Sequence, residues 1–230
     1  MEITMSLFIG RRQALAIIGM AGLAALDVFA RPLSYESLEN DLKTTIRILT
    51  EAYNLEMEAN AMYVSFSKRA KEENYPNIAY SYKTFAISEK IHANNYAIIL
   101  EKLNCALDTG TSIITANTTK KNLLTSVSHE MKKINVIYPG YLEELKAEGH
   151  KDAIMSCRYA YLSHKQHTAD LELVGKYTEN FFLIVAATAE ARWLNYHVCS
   201  LCGSTSKRIP PAFCPICGKP KETYIHVSRP

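Results

Sequence analysis

Two knuckles near the C-terminus, Cys199-Ser-Leu-Cys202-Gly and Cys214-Pro-Ile-Cys217-Gly, are separated by 11 residues. Paired loops of this kind converge four thiolates into a tetrahedron, and soft all-sulfur coordination selects iron or zinc. Glycine after each second cysteine relieves backbone crowding where amides approach the sulfurs. Disulfides are the alternative in an exported chain, but two repeated CxxC pairs favour a metal, and the ligand types leave iron and zinc both open. A second set of candidate ligands is dispersed along the chain: Glu56, Glu89, His92, Glu130, His164 and His167. Glu89 with His92, and His164 with His167, stand three residues apart, so each pair shares a helix face. Carboxylates and imidazoles meeting from facing helices suit a di-iron or di-manganese centre.

The elements that must position these residues follow from apolar periodicity. Breaks at Asn74-Tyr75-Pro76, Asp108-Thr109-Gly110 and Gly149 divide the chain after Leu38 into helices expected over about 36–72, 76–104, 117–147 and 150–176. Short links within each pair and a longer one between them describe a four-helix bundle of two hairpins. Pro139 should kink or shorten the third helix. The inward stripes read Leu42, Leu49, Glu56, Tyr63, Ala70; then Tyr82, Phe85, Glu89, His92, Tyr96, Ile99, Leu103; then Leu123, Val127, Glu130, Ile134, Ile137, Tyr141, Leu145; then Ala153, Cys157, Ala160, His164, His167, Leu171, Val174. All four helices therefore aim ionisable groups at one interior. Burying such groups unpaired costs several kcal/mol each, so a metal or a set of internal counter-charges must compensate them. A faint repeat supports the pairing of hairpins, since a shift of 75 lays Glu89 on His164 and His92 on His167, and a shift of 74 lays Glu56 on Glu130.

The rest of the composition narrows the function. Lys and Arg number 26 against 23 Asp and Glu, a net charge of +3 with the basic residues dispersed, which argues against a nucleic-acid binder. Gly-rich phosphate loops are absent. Arg11-Arg12 precedes the apolar run Ala14 to Leu26 and then Val28-Phe29-Ala30, which reads as an export signal of twin-arginine type cleaved near Arg31, with an ordinary Sec signal or an uncleaved anchor as the alternatives. The run is too short to span a bilayer comfortably, so no membrane span is expected in the mature chain. The remaining cysteines, Cys105 and Cys157, read as small packed hydrophobes. The domain reading is 1–30 signal peptide, 31–178 helical bundle, 179–195 linker, in which a fifth helix or a docking strand would fit, and 196–230 four-cysteine metal module.

Glu56 with Tyr63 seven residues on, Glu89-Lys90-Ile91-His92, Glu130 followed by Tyr138-Pro139, the Glu148-Gly149 turn, His167 and the terminal cysteines together resemble the rubrerythrins over nearly all of the mature chain. The resemblance implies a mainly α protein, a ferritin-like four-helix bundle with a small C-terminal rubredoxin-like, zinc-ribbon-like β module. It implies a homodimer carrying non-haem iron, one or two ions in the bundle and another in the four-cysteine site, that reduces hydrogen peroxide with electrons from the cysteine-bound iron. Tyr63 and Tyr138 would stand beside the bundle metals as hydrogen-bonding or radical-quenching catalytic groups. Outside the cytoplasm the donor would be a periplasmic redox protein such as a cytochrome.

Two positions depart from the family pattern. Lys133 stands where the third helix normally adds a second Glu, and His164 where the fourth normally supplies a bridging Glu, so five Glu and two His become three Glu and three His. One metal held by Glu89, Glu130, His167 and His164 is then expected, with Glu56 and His92 holding a weaker second ion or none. Alternatively Lys133 is an internal counter-ion to Glu56 or Glu130 in a metal-free bundle. The rival function is a metal-binding or electron-carrying protein without peroxidase turnover.

Overall fold

The computed structural model describes residues 42–107 and 114–230. The export signal, the expected start of the first helix at 36 and the Asp108-Thr109-Gly110 break lie outside them. Helix α1 spans Lys43–Glu72 and α2 spans Pro76–Lys102, joined by a tight turn in which Asn74 takes a left-handed conformation (φ 63°). Helix α3, Thr119–Lys132, runs through a π turn, Lys133–Ile137, into α4, Tyr138–Glu148. Gly149 closes α4 in the left-handed region (φ 66°), its N–H returning to Leu145 O at 3.0 Å. Helix α5 spans Lys151–Glu190. Counting α3, the π turn and α4 as one rod, the four expected rods are present.

Neither α1 nor α2 starts on a capping side chain, since Leu42 and Tyr75 occupy those positions. Distant carboxylates supply the caps instead. Glu148 accepts from the Thr44 and Thr45 amides, both at 2.8 Å, and Glu190 accepts from Asn77 N at 2.8 Å and Ile78 N at 3.0 Å. Orphan N–H groups at a helix start favour an anion there. Burial alone would raise Glu148, but these hydrogen bonds outweigh it and hold its carboxyl below the usual range. The stabilisation is therefore present above the ordinary glutamate pKa and is lost as pH falls through the lowered one. Glu148→Gln should cost about 1 kcal/mol in denaturant melts at neutral pH, with the difference from wild type shrinking in acid.

Two expectations are corrected. The third rod keeps its inward phase through Glu130, but the π turn inserts an extra residue into the helical register. Lys133 and Tyr138 are consequently fully inward, while Ile134, Ile137 and Tyr141 are only half-buried. Pro139 lacks an N–H and crowds the preceding turn, which accounts for the irregularity falling just before it. The fourth rod does not stop at 176. It continues to Glu190 across a kink at Phe181 (φ −130°, ψ 33°), because Phe182 and Ala186 pack on the bundle and Asn77 Nδ2 donates to Ala189, Glu190 and Arg192 carbonyls. The stretch after 176 is thus helix and not strand, and beyond the Phe181 kink it is the short fifth helix that the sequence allowed, running on from the fourth.

The core lies in two apolar layers. One is built on Ile48, Leu49, Ala52, Tyr96, Leu100, Leu145 and Cys157, the other on Met62, Tyr63, Phe66, Tyr82, Phe85, Leu123 and Leu171. The six candidate ligands and Lys133 are all at 0 or 1 % exposure.

After α5 the chain forms a small antiparallel sheet, β1 (His197–Cys199), β2 (Thr205–Ser206) and β3 (Tyr224–His226), ordered β2-β1-β3, with Val198 opposite Thr205 on one side and Ile225 on the other. Among the described residues no helix is long and apolar enough to cross a membrane.

Candidate metal centres and the contact between them

The four knuckle cysteines form one cluster with all sulfurs within 4.8 Å of one another, Cys202–Cys214 at 3.5 Å and Cys199–Cys217 at 3.8 Å among them. A tetrahedron with metal–sulfur bonds of about 2.3 Å has edges of about 3.8 Å, so the set fits an ion, and none of the four is in a disulfide. Gly203 and Gly218 take positive φ (75° and 66°) and return their N–H groups to Cys199 O and Cys214 O, each at 2.9 Å. This is the backbone form the CxxCG spacing requires. Tyr224 adds an O–H donor to Cys214 Sγ at 3.3 Å.

Inside the bundle the six dispersed residues do meet. They fall into two overlapping groups, Glu56, Glu89, His92, His164 and Glu89, Glu130, His164, His167, each with ligand atoms within 4.8 Å of one another. In the second group His164 Nδ1 lies 2.9 Å from Glu130 Oε2 and 3.7 Å from Glu89 Oε1, and His167 Nδ1 lies 3.6 Å from both carboxylates. Metal bonds of about 2.1 Å give tetrahedral edges of about 3.4 Å, and these four donors stand near that spacing.

The first group is different. Lys133 Nζ lies 2.5 Å from Glu56 Oε2 and 3.5 Å from Glu89 Oε2, inside the space a second ion would share. The other oxygen of Glu56 accepts from Tyr138 OH and from His164 Nε2 at 2.9 Å. Tyr63, the other tyrosine singled out, donates to Glu130 Oε1 at 2.7 Å.

Charge explains which donors remain for a metal. Burial would raise all three glutamates, but Lys133 and His164 hold Glu56 and Glu130 well below the usual range, while Glu89 stays well above it. Burial and Lys133 would lower His164, yet Glu89, Glu56 and Glu130 raise it to about 10; the same three carboxylates raise Lys133. Without a metal ion three carboxylates thus share two cations, and Glu89 is left over as the neutral acid; a bound cation would take the place of the Glu89 proton and of the His164 Nδ1 proton. His92 is pushed down to about 3 by burial and by His164. As a neutral ring it donates from Nε2 to Cys202 O at 3.1 Å, which leaves Nδ1 to accept from Glu89 Oε2 at 3.0 Å. Glu89 Oε1 and both nitrogens of His167 are buried without a partner. Orphaned polar atoms of this kind are costly, and here they belong to the four donors at metal spacing. The cluster is one cation short, at one place.

Some of the groups that matter here were not singled out from the sequence. Ser88 and Ser163 donate to Gly203 O at 2.7 and 3.0 Å, Asn95 donates to Leu201 O at 2.9 Å, and Gln166 Oε1 accepts from Ser204 Oγ and Thr205 N. These contacts seat the first cysteine knuckle on α2 and α5. Periodicity carries no sign of them; the glycine after Cys202 was the one available cue.

Comparison with known proteins agrees with this architecture. A family model described as Rubrerythrin matches residues 47–174. Rubrerythrin-2 of Clostridium acetobutylicum is 28 % identical over 184 residues, 78 % of this chain and 95 % of that protein. Nigerythrin of Nitratidesulfovibrio vulgaris is 26 % identical over 182 residues, 79 % of this chain and 85 % of its own. A solved structure of nigerythrin in the fully reduced, all-ferrous state superposes with a TM-score of 0.68 at 24 % identity, covering 80 % of this chain and 86 % of that one. Desulfovibrio desulfuricans bacterioferritin, with its diiron site, gives 0.60 at 20 % identity over 66 % of this chain and 89 % of its own. These likenesses at low identity establish the ferritin-like fold of the bundle.

Proposed function

The chain belongs to the rubrerythrin family of non-haem iron proteins, and on that premise we propose that it is an exported peroxidase that reduces hydrogen peroxide at a single bundle iron, with electrons delivered through an iron in the four-cysteine site. His92 carries this reading. Its ring lies at the edge of the bundle centre and its Nε2–H donates to the carbonyl of Cys202, a thiolate ligand of the other centre. The connection from the Cys202 sulfur to the bundle is therefore a few covalent bonds and one hydrogen bond.

Glu89, Glu130, His164 and His167 would hold the bundle ion, and Cys199, Cys202, Cys214 and Cys217 the second. Iron in each place supplies electrons one at a time. The chain itself contributes the surroundings. Lys133 fills the position of a second ion and presents an ammonium to the cavity, where it favours negative charge developing on a peroxide oxygen. Tyr63, bonded to Glu130, fixes that carboxylate's orientation, as Tyr138 does for Glu56. Burial of the whole set excludes water from the reacting volume. The donor would be a redox protein of the exported compartment. A homodimer is in keeping with the apolar face that the end of α5 presents, where Leu183 is 74 % and Ile184 65 % exposed.

Stopped-flow mixing of the fully reduced protein with peroxide tests the reading. Rapid oxidation of the bundle iron, followed by reoxidation of the thiolate-bound iron, is expected. An inert bundle iron would favour a metal-carrying protein without turnover, which the Lys133–Glu56 pair would suit.

A further inference from the structure

Cations on a solvated helix face find carboxylates one turn away, as Arg47 does with Glu51 and Arg69 with Glu72. Four lysines of the first hairpin do not. Lys68 and Lys71 on α1 and Lys83 and Lys90 on α2 line one groove of about 650 Å³, and among the described residues none of the four is ion-paired. No Asp or Glu side chain lines the groove. The spacing 64, 68, 71 on α1 and 83, 87, 90, 91 on α2 places these lysines on the same stripes as Val64, Ile87 and Ile91, which supply an apolar floor. Ser200 of the first cysteine knuckle and Ile225 of β3 line it too, and Val64 and Ile225 are 56 % and 47 % exposed.

We propose that this groove is where the electron donor docks, and that the donor is an acidic redox protein. The proposal rests on the reading above in one respect, that the four-cysteine site carries electrons. Unpaired like charges gathered on one face are relieved by an acidic partner and steer it toward the groove. The apolar floor offers the dry centre of an interface and the lysines its polar margin. Position supplies the rest. Ser200 directly follows Cys199 in the chain, so a partner seated here touches the loop that carries two of the thiolates. The same knuckle meets the bundle through another atom, the Cys202 carbonyl that accepts from His92. Ile87, Lys90 and Ile91 face the groove while Ser88, Glu89 and His92 are buried toward the interior. Helix α2 therefore has the donor on one side and the bundle centre on the other, with the knuckle in contact with both.

Charge and place together select this occupant. A second copy of the chain seated here about a two-fold axis would set the same four lysines face to face. An anionic bilayer would satisfy the lysines, but it gives no reason for the groove to reach a metal-ligating loop. Electron-transfer contacts are small and depend on charge for their encounter rate, and a groove of this size rimmed by four ammonium groups meets both conditions.

Reduced flavodoxin, a small acidic protein, is the probe. Its hydroquinone gives one electron to the ferric four-thiolate iron of the iron-loaded full chain and becomes a semiquinone, and stopped-flow absorbance follows the loss of the ferric colour. Reduction should slow steeply as salt is raised. Lys68→Glu with Lys71→Glu should slow it at least about tenfold at low salt, while Lys68→Arg with Lys71→Arg stays near wild type. The same charge change on α3, Lys120→Glu with Lys121→Glu, should slow it less than about twofold. Methyl viologen radical, which needs no docking, should reduce all four proteins alike. A readout free of electron transfer uses the zinc-loaded chain: carbodiimide should join flavodoxin carboxylates to Lys68, Lys71, Lys83 and Lys90, as mapped by peptide mass spectrometry. Equal slowing in both glutamate pairs, cross-links confined to other lysines, or reduction by viologen but not by flavodoxin overturns the site. So does a wild-type dimer that the groove pair dissociates in sedimentation, which would seat a second copy there. Binding to phosphatidylglycerol vesicles that the groove pair abolishes, with no flavodoxin cross-link, overturns it in favour of a lipid surface. Reduction through the groove beside a bundle iron that peroxide leaves ferrous overturns the peroxidase reading and leaves the docking site standing.

Discussion

Lys133→Glu gives a bundle that binds a second metal ion. In the native chain the ammonium lies 2.5 Å from Glu56 and 3.5 Å from Glu89, so an ion between those carboxylates would face a like charge at contact distance. At an effective dielectric of about 20, charges 4 Å apart interact by about 4 kcal/mol for each unit of charge, roughly a thousandfold in affinity. The substitution removes this repulsion, frees Glu56 Oε2 and adds a carboxylate beside it. Metal titration of the variant should show the second bundle ion binding at least about a thousandfold tighter than in wild type. Lys133→Met separates charge from ligation. It leaves Glu56 as a buried carboxylate without its main cation, which costs about 3–5 kcal/mol, and that loss should be recovered when divalent metal is added. A folded Lys133→Glu protein with unchanged metal content would contradict the argument.

Gly203→Ala is the second large effect. A Cβ at this position would lie 2.3 Å from His92 Nε2 and 2.9 Å from Ser88 Oγ, and the backbone is left-handed with φ +75°. The φ penalty is about 1–2 kcal/mol, and His92 cannot retreat without leaving the bundle centre. The knuckle must instead lift off α2, breaking the bonds from His92, Ser88 and Ser163 together. Loss of stability of about 2–4 kcal/mol is expected from strain and overpacking. The sharper result is kinetic. The thiolate-bound iron should be reoxidised by the bundle at least about tenfold more slowly after a peroxide pulse, because the hydrogen-bonded link is gone, while the metal content of both sites and the direct oxidation of the thiolate-bound iron by a small oxidant are kept. Unchanged reoxidation would show that electrons do not pass through this contact.

The parts of this protein that were legible in its sequence are those governed by period. Glu56, Glu89, His92, Glu130, His164 and His167 could be found because each interrupts an apolar stripe of otherwise regular spacing, and the structure brings all six together. The CxxCG knuckles were legible because local backbone geometry dictates them. Lys133 was visible as a departure from the family pattern, but its fully inward position depends on the π turn, an insertion into the register that a fixed 3.6-residue repeat cannot express. The same turn exchanged Ile137 and Tyr141 for Tyr138 as the inward residue. The length of α5 was missed because the run from Phe181 to Ala189 suits helix and strand alike; what decides it is tertiary, the tie from Asn77 to the end of that helix. The seating of Gly203 on His92, and the hydrogen bonds from Tyr96 through Tyr138 to Glu56, join residues distant in sequence and leave no periodic trace.

The central claim is that the bundle is one cation short, at Glu89, Glu130, His164 and His167, and that Lys133 fills the other place. Elemental analysis of the full wild-type chain, purified from its native compartment and paired with Mössbauer spectra of iron-loaded protein, measures this directly. The account predicts two metal ions per chain, one with four thiolate ligands and one with nitrogen and oxygen ligands and no magnetic coupling to a neighbour. Three ions per chain with a coupled pair in the bundle, or one ion confined to the cysteines, would contradict it.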